Sequence, residues 1–422
     1  MGSLHQTQGA RKQGTLGFDR RRWAVGARLA GLAATGAFLT PHAQAQPARS
    51  AACAGVAELA GKQMDAGPAL QACIDAIPPQ SVIAFAPGRY LIETPVRIRR
   101  AIRLTTQASV RASVTCMTDA PRCAVLHLAI DPSKAGAAVM PFDIDSADVR
   151  IDRVIFEGTR VSDPRLSKMR CATEGQRPMG GGLRVNGSRI SITRSVFRDM
   201  ACYTALEFGG GTESVISNNG FLRNGTHIVA QAWADGLTIH GGHGLRIVGN
   251  MFRDNTDVQL IFGGCVACEV RANRFEHGGS AAGGAFAELM LHAWPGATTG
   301  DFTGTVVHGN NINCGPLHRC GFGIMLGAAP WYNAPTFGGI VRGNRVRGAM
   351  LAMNVDRLSG VMRVTGNDLQ GAAGTYPTAC GPRSLPAAPL NIEPSSKAYF
   401  QGHAPPRTTS VHYCILNFSP AP

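Results

Sequence analysis

Charge and aromatic rings are scarce in this chain: of its 422 residues, 16% are charged and 6% aromatic. Sparse charge beside 44% hydrophobic residues excludes an intrinsically disordered polymer, which combines high charge with low hydrophobicity. The same scarcity, set against 52 glycines, speaks against a helical protein and for a turn-rich β protein. Beyond the first 45 residues no apolar run approaches the ~20 residues of a membrane-spanning helix. A nucleic-acid-binding motif is missing too, as is any interleaving of basic and aromatic residues, which ranks nucleic acid last among partners. The length suffices to bury one large core or two moderate ones.

The N-terminal stretch reads as a processing signal. Arg20, Arg21 and Arg22 precede a small-residue apolar run from Ala24 to Leu39, followed by Ala43-Gln44-Ala45. These are the charged region, apolar region and Ala-x-Ala end of a bacterial export signal, which predicts removal of residues 1–45 and a periplasmic or secreted protein. The paired arginines, with Arg28 inside the apolar run, favour the twin-arginine route; a membrane anchor is the competing reading. All 12 cysteines follow this segment, as an oxidising compartment allows. They fall into local couples: Cys53/Cys73, Cys116/Cys123, Cys171/Cys202, Cys265/Cys268, Cys314/Cys320 and Cys380/Cys414. Cys265-Val-Ala-Cys268 has zinc-like spacing, but no second close couple matches it, so a disulfide is the better reading. The formal charge of +14 falls to +9 once the six basic and one acidic residue of the signal are set aside. A basic exported protein suits polyanions, acidic polysaccharide first among them.

What the chain does have is a repeat. Apolar, two spacers, Asn, any residue, apolar recurs around Asn219, Asn250, Asn273, Asn310, Asn344 and Asn367, between apolar residues such as Ile247 and Phe252. Ser195 and Val154 take the asparagine's place in two earlier copies. From Ser195 the intervals are 24, 31, 23, 37, 34 and 23 residues, as a solenoid with a minimal coil and looped insertions allows. Asn at a tight bend tolerates left-handed backbone and bonds locally; stacked in register, each amide can bond to the next. A glycine precedes it in four coils. Upstream of each copy lies a second apolar-x-apolar strand, among them Leu206–Phe208, Leu237–Ile239, Leu260–Phe262 and Leu289–Leu291. The spacing predicts an all-β, right-handed parallel β-helix with an N-terminal capping helix. Leucine-rich-repeat register is missing, and a propeller needs longer blades.

The capping segment carries a family resemblance. Asp65 to Ile77 reads as an amphipathic helix, and Ser81 to Tyr90, with Pro87-Gly88-Arg89-Tyr90, as strand, turn, strand. This block resembles the N-terminal cap of the pectate-lyase superfamily, and with the coils the resemblance spans roughly residues 55–370. The expected organisation is an export signal at 1–45, cap and first strands at 46–110, coils at 111–371 and a Pro-rich tail at 372–422 packed on the helix.

The resemblance implies a substrate groove along one parallel sheet. The upstream-strand sheet is the natural choice, because long insertions at 294–304 and 328–338 follow it. Trp294, Trp331 and Tyr332 on those insertions, and Trp233 before Asp235, suit stacking on sugar rings; loop-anchoring aromatics are the plainer reading. Period-2 alternation predicts three outward columns. One runs Arg184, Glu207, Thr238, Ile261, Met290, Met325, Asn354; a second holds His240, Gly263 and His292; a third holds Gly236, Gln259 and Glu288. Ionisable groups thus gather on four neighbouring coils. Asp235 and Asp257 stand at strand entrances and resemble the paired aspartates of polygalacturonase-type hydrolases, in the carboxylate spacing that cleaves glycosidic bonds. Gly242-His243-Gly244 departs from that pattern, falling in the same coil as Asp235.

Asp235, Asp257, His240, Glu207, Glu288 and His292 are therefore the catalytic candidates, with Arg184, Gln259, Trp233, Trp294, Trp331 and Tyr332 for substrate binding. Proton abstraction by His240 or His292 with Arg184 clamping a uronate carboxylate makes a polysaccharide lyase or epimerase the first expectation. An inverting hydrolase using the paired aspartates is the alternative, and a non-catalytic glycan-binding or structural β-helix the third. No cofactor is firmly implied; calcium enters only through the calcium-dependent pectate lyases. The expected partner is an acidic polysaccharide, without nucleic acid or a membrane span in the mature chain, and the expected state is a monomer.

Overall fold

The computed structural model describes residues 51–107, 115–130, 140–160, 181–226, 232–278, 284–296, 298–315, 320–327, 332–376, 382–385 and 388–402. Residues 1–45, read above as an export signal, and Cys171, Trp331, Cys380 and Cys414 lie outside these residues, and the statements below concern the described ones. Three long sheets of 11, 10 and 10 strands dominate, and every pairing within them is parallel. Each coil contributes one strand to each sheet, so the chain is a parallel β-helix. The groove sheet holds Leu183–Asn186, Tyr203–Gly210, Ala234–Ile239, Asp257–Phe262, Ala285–Leu291, Cys320–Gly327 and Leu351–Asp356. The other two sheets hold the halves of each asparagine motif: Arg246–Val248 lies in one and Met251–Arg253 in the other, with Asn250 at the corner between.

The corner shows what the asparagine does. Asn250 donates from Nδ2 to Asn273 Oδ1 (3.0 Å) and to the Ile216 carbonyl (2.9 Å), while its backbone N–H donates to the same Oδ1 (2.9 Å). Asn219, Asn273, Asn310 and Asn344 repeat the pattern. Each interior amide uses both its donors and both its acceptor sites, the condition for burying a polar side chain. The left-handed residue is the one before: Gly249, Gly309, Gly343 and Gly366 have φ of 61–67° and Asn218 and Ala272 have φ of 56° and 54°. The ladder asparagine is therefore a hydrogen-bonding wedge, and its neighbour, not it, makes the bend that the sequence assigned to it.

Beside the ladder, Phe156, Phe197, Phe221, Phe252 and Phe275 stack in the core with centroids 4.8–5.2 Å apart, matching the spacing of adjacent strands. At the N-terminal end the helix Gly67–Ala76 buries Leu70, Cys73 and Ile74 in the same core. Tyr90 is buried after the turn and its hydroxyl donates to the Ala86 carbonyl at 3.0 Å. Disulfides join Cys53–Cys73, Cys116–Cys123, Cys265–Cys268 and Cys314–Cys320. The stack runs on past residue 371: Ala388–Ile392 pairs with Leu351–Asp356, and Phe400–Gly402 with Met362–Thr365, so part of the stretch read as a packed tail is further coil. No helix among the described residues is long and apolar enough to cross a membrane.

Candidate functional site

Strand register brings the first predicted column together. Arg184 opposes Glu207, then Thr238, Ile261, Met290, Met325 and Asn354 follow in turn. His240, Gly263 and His292 are likewise stacked, their N–H groups donating to Phe208, Ile239 and Phe262. One coil upstream a bulge slips the pairing by a residue, so Asn186 faces Gly210 in place of Gly209. Gly263 separates the two histidines for a steric reason. A Cβ there would lie 2.1 Å from Thr298 Cγ2. Thr298 Oγ1 in turn accepts from the Trp294 N–H and donates to the Trp294 carbonyl, both at 2.8 Å, which closes the turn carrying that indole.

The third column does not face the groove. Val258 and Ile261 line the groove cavity, and the two residues between them, Gln259 and Leu260, are both buried. Strict alternation allows only one inward residue there; the strand is still turning out of the corner, and register shifts between Asp257 and Val258. Glu288 is buried in the same way. Gln259 and Glu288 instead extend a second amide ladder. Asn224 Nδ2 donates to Asn255 Oδ1 (2.7 Å), Asn255 Nδ2 to Gln259 Oε1 (2.7 Å) and Gln259 Nε2 to Glu288 Oε2 (2.7 Å). Glu288 Oε1 then meets His277 Nε2 at 2.7 Å. Burial alone would lower the His277 pKa, but the charge of Glu288 and the bonds to Asp254 and Glu288 outweigh it and lift it to about 9. The pair is an internal ion pair and takes no part in the groove.

What remains converges. A cavity of about 410 Å³ is lined by Tyr203, Trp233, Asp235, Thr238, His240, Asp257, Val258, Ile261, Met290, His292, Trp294 and Tyr332. Seven of the twelve sequence candidates are therefore side chains of one concavity, with Trp233 and Tyr332 exposed at its rim. Trp233 stands at the base of an insertion closed by its antiparallel bridge to Gly225 and by the Thr226 N–H donating to Ala232. Tyr203 and Asp257 enter their strands with φ of 75° and 73°. Left-handed backbone is unfavourable for such side chains and tends to persist at functional positions.

Two carboxyls sit at the cavity floor on adjacent coils. Asp235 Oδ1 accepts from the Val258 N–H (3.1 Å) and Oδ2 from the Thr238 hydroxyl (2.7 Å). Burial, then the charge of Asp257, drives the Asp235 pKa well above the usual carboxylate range, against the opposing pull of those two donors. Burial lifts Asp257 to about 6. Two acids whose surroundings oppose ionisation are an arrangement suited to acid–base catalysis.

Glu207 lies directly behind the cavity wall as a buried hub. Its Oε1 accepts from the Tyr203 hydroxyl (2.8 Å) and sits 2.9 Å from His240 Nε2, while Oε2 accepts from Arg184 Nε (2.8 Å). Arg184 is thus engaged with Glu207 and does not line the cavity, which removes the expected clamp for a uronate carboxylate. His240 also meets the Trp294 indole edge-on, centroids 5.1 Å apart. His292 donates from Nδ1 to the Gly327 carbonyl (2.7 Å), leaving Nε2 as the acceptor nitrogen of a neutral ring. Burial lowers its pKa to about 4. Tyr203 escaped the sequence reading because it precedes the apolar-x-apolar core of its strand; its place four residues before Glu207 was the only signal. His243 is exposed beside the next corner and lines no part of the cavity.

The donor set does not fit calcium, which takes six to eight oxygens. Asp235 and Asp257 are the only carboxylates in the lining, and both oxygens of Asp235 already accept protein donors. Among the described residues the one cluster with metal-ligand proximity is Glu288, Cys314 and Cys320, and its cysteines are bonded to each other.

The coil architecture has a counterpart among solved structures. The chain is a right-handed parallel β-helix. Alginate lyase from Paenibacillus sp. str. FPU-7 superposes with a TM-score of 0.53 at 11% identity, over 79% of this chain and 97% of that one. The Streptococcus pneumoniae surface adhesin PfbA gives 0.48 at 12%, over 82% and 88%, and the Azotobacter vinelandii mannuronan C-5 epimerase A-module 0.37 at 14%, over 83% and 99%. At these identities the likeness is one of fold. No protein-family model matches the sequence and no curated protein does. The β-helix accounts for the site's shape, since it stacks successive coils into a concave wall; the chemistry must be argued from the residues.

Proposed function

We propose that this β-helix is a glycoside hydrolase in which Asp235 and Asp257 act as the acid–base pair. The observation that carries the reading is the pair itself: two carboxyls on adjacent coils, at the floor of one aromatic-walled cavity, both with raised pKa. Asp235, whose ionisation is opposed by burial and by the charge of Asp257, donates its proton to the glycosidic oxygen as the bond breaks. Asp257, ionised above about pH 6, takes a proton from the attacking water. Trp233, Trp294, Tyr203 and Tyr332 offer ring faces to the sugars. Glu207 holds the Tyr203 hydroxyl and the His240 ring in place and acts as a positioning residue.

The lining contains no Lys or Arg, so a neutral sugar suits the cleavage position better than a uronate. Proton abstraction, the first expectation, retains one supporting observation: Tyr203 and His240 meet on Glu207, a hydroxyl and an imidazole at one cavity wall. Chemistry separates the two readings. Hydrolysis yields new reducing ends alone, whereas elimination also leaves an unsaturated uronate with ultraviolet absorbance. Asp235→Asn and Asp257→Asn are each expected to lower turnover by roughly 10²–10⁴-fold. Full turnover in both variants would end the hydrolase reading.

A further inference from the structure

We infer that the corner carrying the asparagine ladder is a second binding site, a basic ridge that takes an acidic polysaccharide. The ladder side chains are buried, so the corner's outer surface belongs to the residues on either side of the bend. In two of its coils those residues are arginines: Arg271 and Arg274 flank Asn273, and Arg342 and Arg345 flank Asn344, with Arg347 two positions further and Arg363 in the next coil. Arg274, Arg342, Arg345 and Arg363 are exposed.

The carboxylates nearby are too few to neutralise them. Glu269 is shared between Arg246 and Arg271, at 3.3 and 2.9 Å, and by His308 at 3.4 Å. Glu276 is shared between Arg253 and Arg274, and Asp368 between Arg345 and Arg347. Arg342 and Arg363 have no carboxylate within ion-pair distance among the described residues. Each acid therefore orders two guanidinium groups, and across these coils the eight arginines Arg246, Arg253, Arg271, Arg274, Arg342, Arg345, Arg347 and Arg363 face three carboxylates, Glu269, Glu276 and Asp368, which leaves the ridge as a whole net positive. Coils repeat every ~4.8 Å, well inside the ~10 Å screening length at 0.1 M salt, so the fields of successive coils add.

The ligand's chemistry follows from the face. Forked guanidinium groups in rows match carboxylates repeated along a flexible chain. The ridge residues named here include no aromatic ring on which bases could stack, which sets nucleic acid below an acidic glycan. The ridge lies on the corner between the two ladder sheets, whereas the cavity opens on the groove sheet, so the two sites are separate and the ridge does not depend on the cavity's chemistry.

Affinity electrophoresis of the full chain through a gel containing polygalacturonate tests this, with neutral dextran and a DNA gel shift as parallel arms. The wild type is expected to be retarded by polygalacturonate at low salt and released by high salt. R342E/R345E, and separately R271E/R274E, should weaken the retardation by roughly tenfold, while D235N leaves it unchanged. Wild-type migration unaffected by polygalacturonate, equal retardation of both charge-reversal variants and the wild type, or retardation by DNA alone would each overturn the inference.

Discussion

Asp235 and Asp257 are harder to ionise in the folded chain than in the unfolded one, and this has a sign that can be measured. Their folded pKa values lie above the unfolded value. The cost of ionising them is therefore absent below about pH 4 and grows as pH rises through the folded values. Asp235→Asn should raise the melting temperature at pH 7–8, and the gain should vanish near pH 4. A variant less stable than wild type at pH 8 would contradict the burial of this charge. His277 carries the opposite sign. Its pKa is raised from 6.5 to about 9, so its ion pair with Glu288 stabilises fully below pH 6.5 and is lost as pH rises through 9. The shift corresponds to an upper bound of roughly 3 kcal/mol. Denaturant melts between pH 6 and 10 should show stability falling in that window for the wild type and less so for His277→Asn.

At the scale of the element, the ladder and the groove turn make separate claims. Asn273→Ala would leave the Asn250 amide and N–H without their shared acceptor and the Asn310 oxygen with only the backbone N–H of residue 273 as donor. A loss of about 3 kcal/mol is expected from unsatisfied buried groups, read by urea denaturation; the same change at the half-buried terminal Asn367 should cost less. Gly263→Ala would push on Thr298 and displace the Trp294 indole, lowering sugar binding more than stability. Much of this was legible in the sequence, because the ladder spacing sets the register and the register places Thr238, Ile261, Met290, His240 and His292. Alternation failed where the strand rounds a corner. Gln259 and Glu288 sit one step too early in their strands to face outward, and only the fold shows that two successive residues turn inward. Asp235 and Asp257 were legible as strand-entrance acids, but their shared environment depends on a cavity built from five coils.

For the whole molecule, the proposed cavity and ridge would divide two tasks between different faces of the β-helix. A concave, aromatic-walled cavity with paired acids occupies the groove sheet, and a convex row of arginines follows the opposite motif. Such a division would let a polymer be held by its acidic groups while a neutral linkage enters the cavity, so ridge and cavity variants should fail independently in binding and in turnover. The most direct measurement of the central claim is product analysis after incubating the protein with a panel of neutral and acidic polysaccharides, alongside D235N and D257N. The account predicts new reducing ends without unsaturated products, with the anomeric configuration set by direct attack of water and with turnover lost in both variants. Unsaturated uronate products, or undiminished turnover in the two variants, would contradict it.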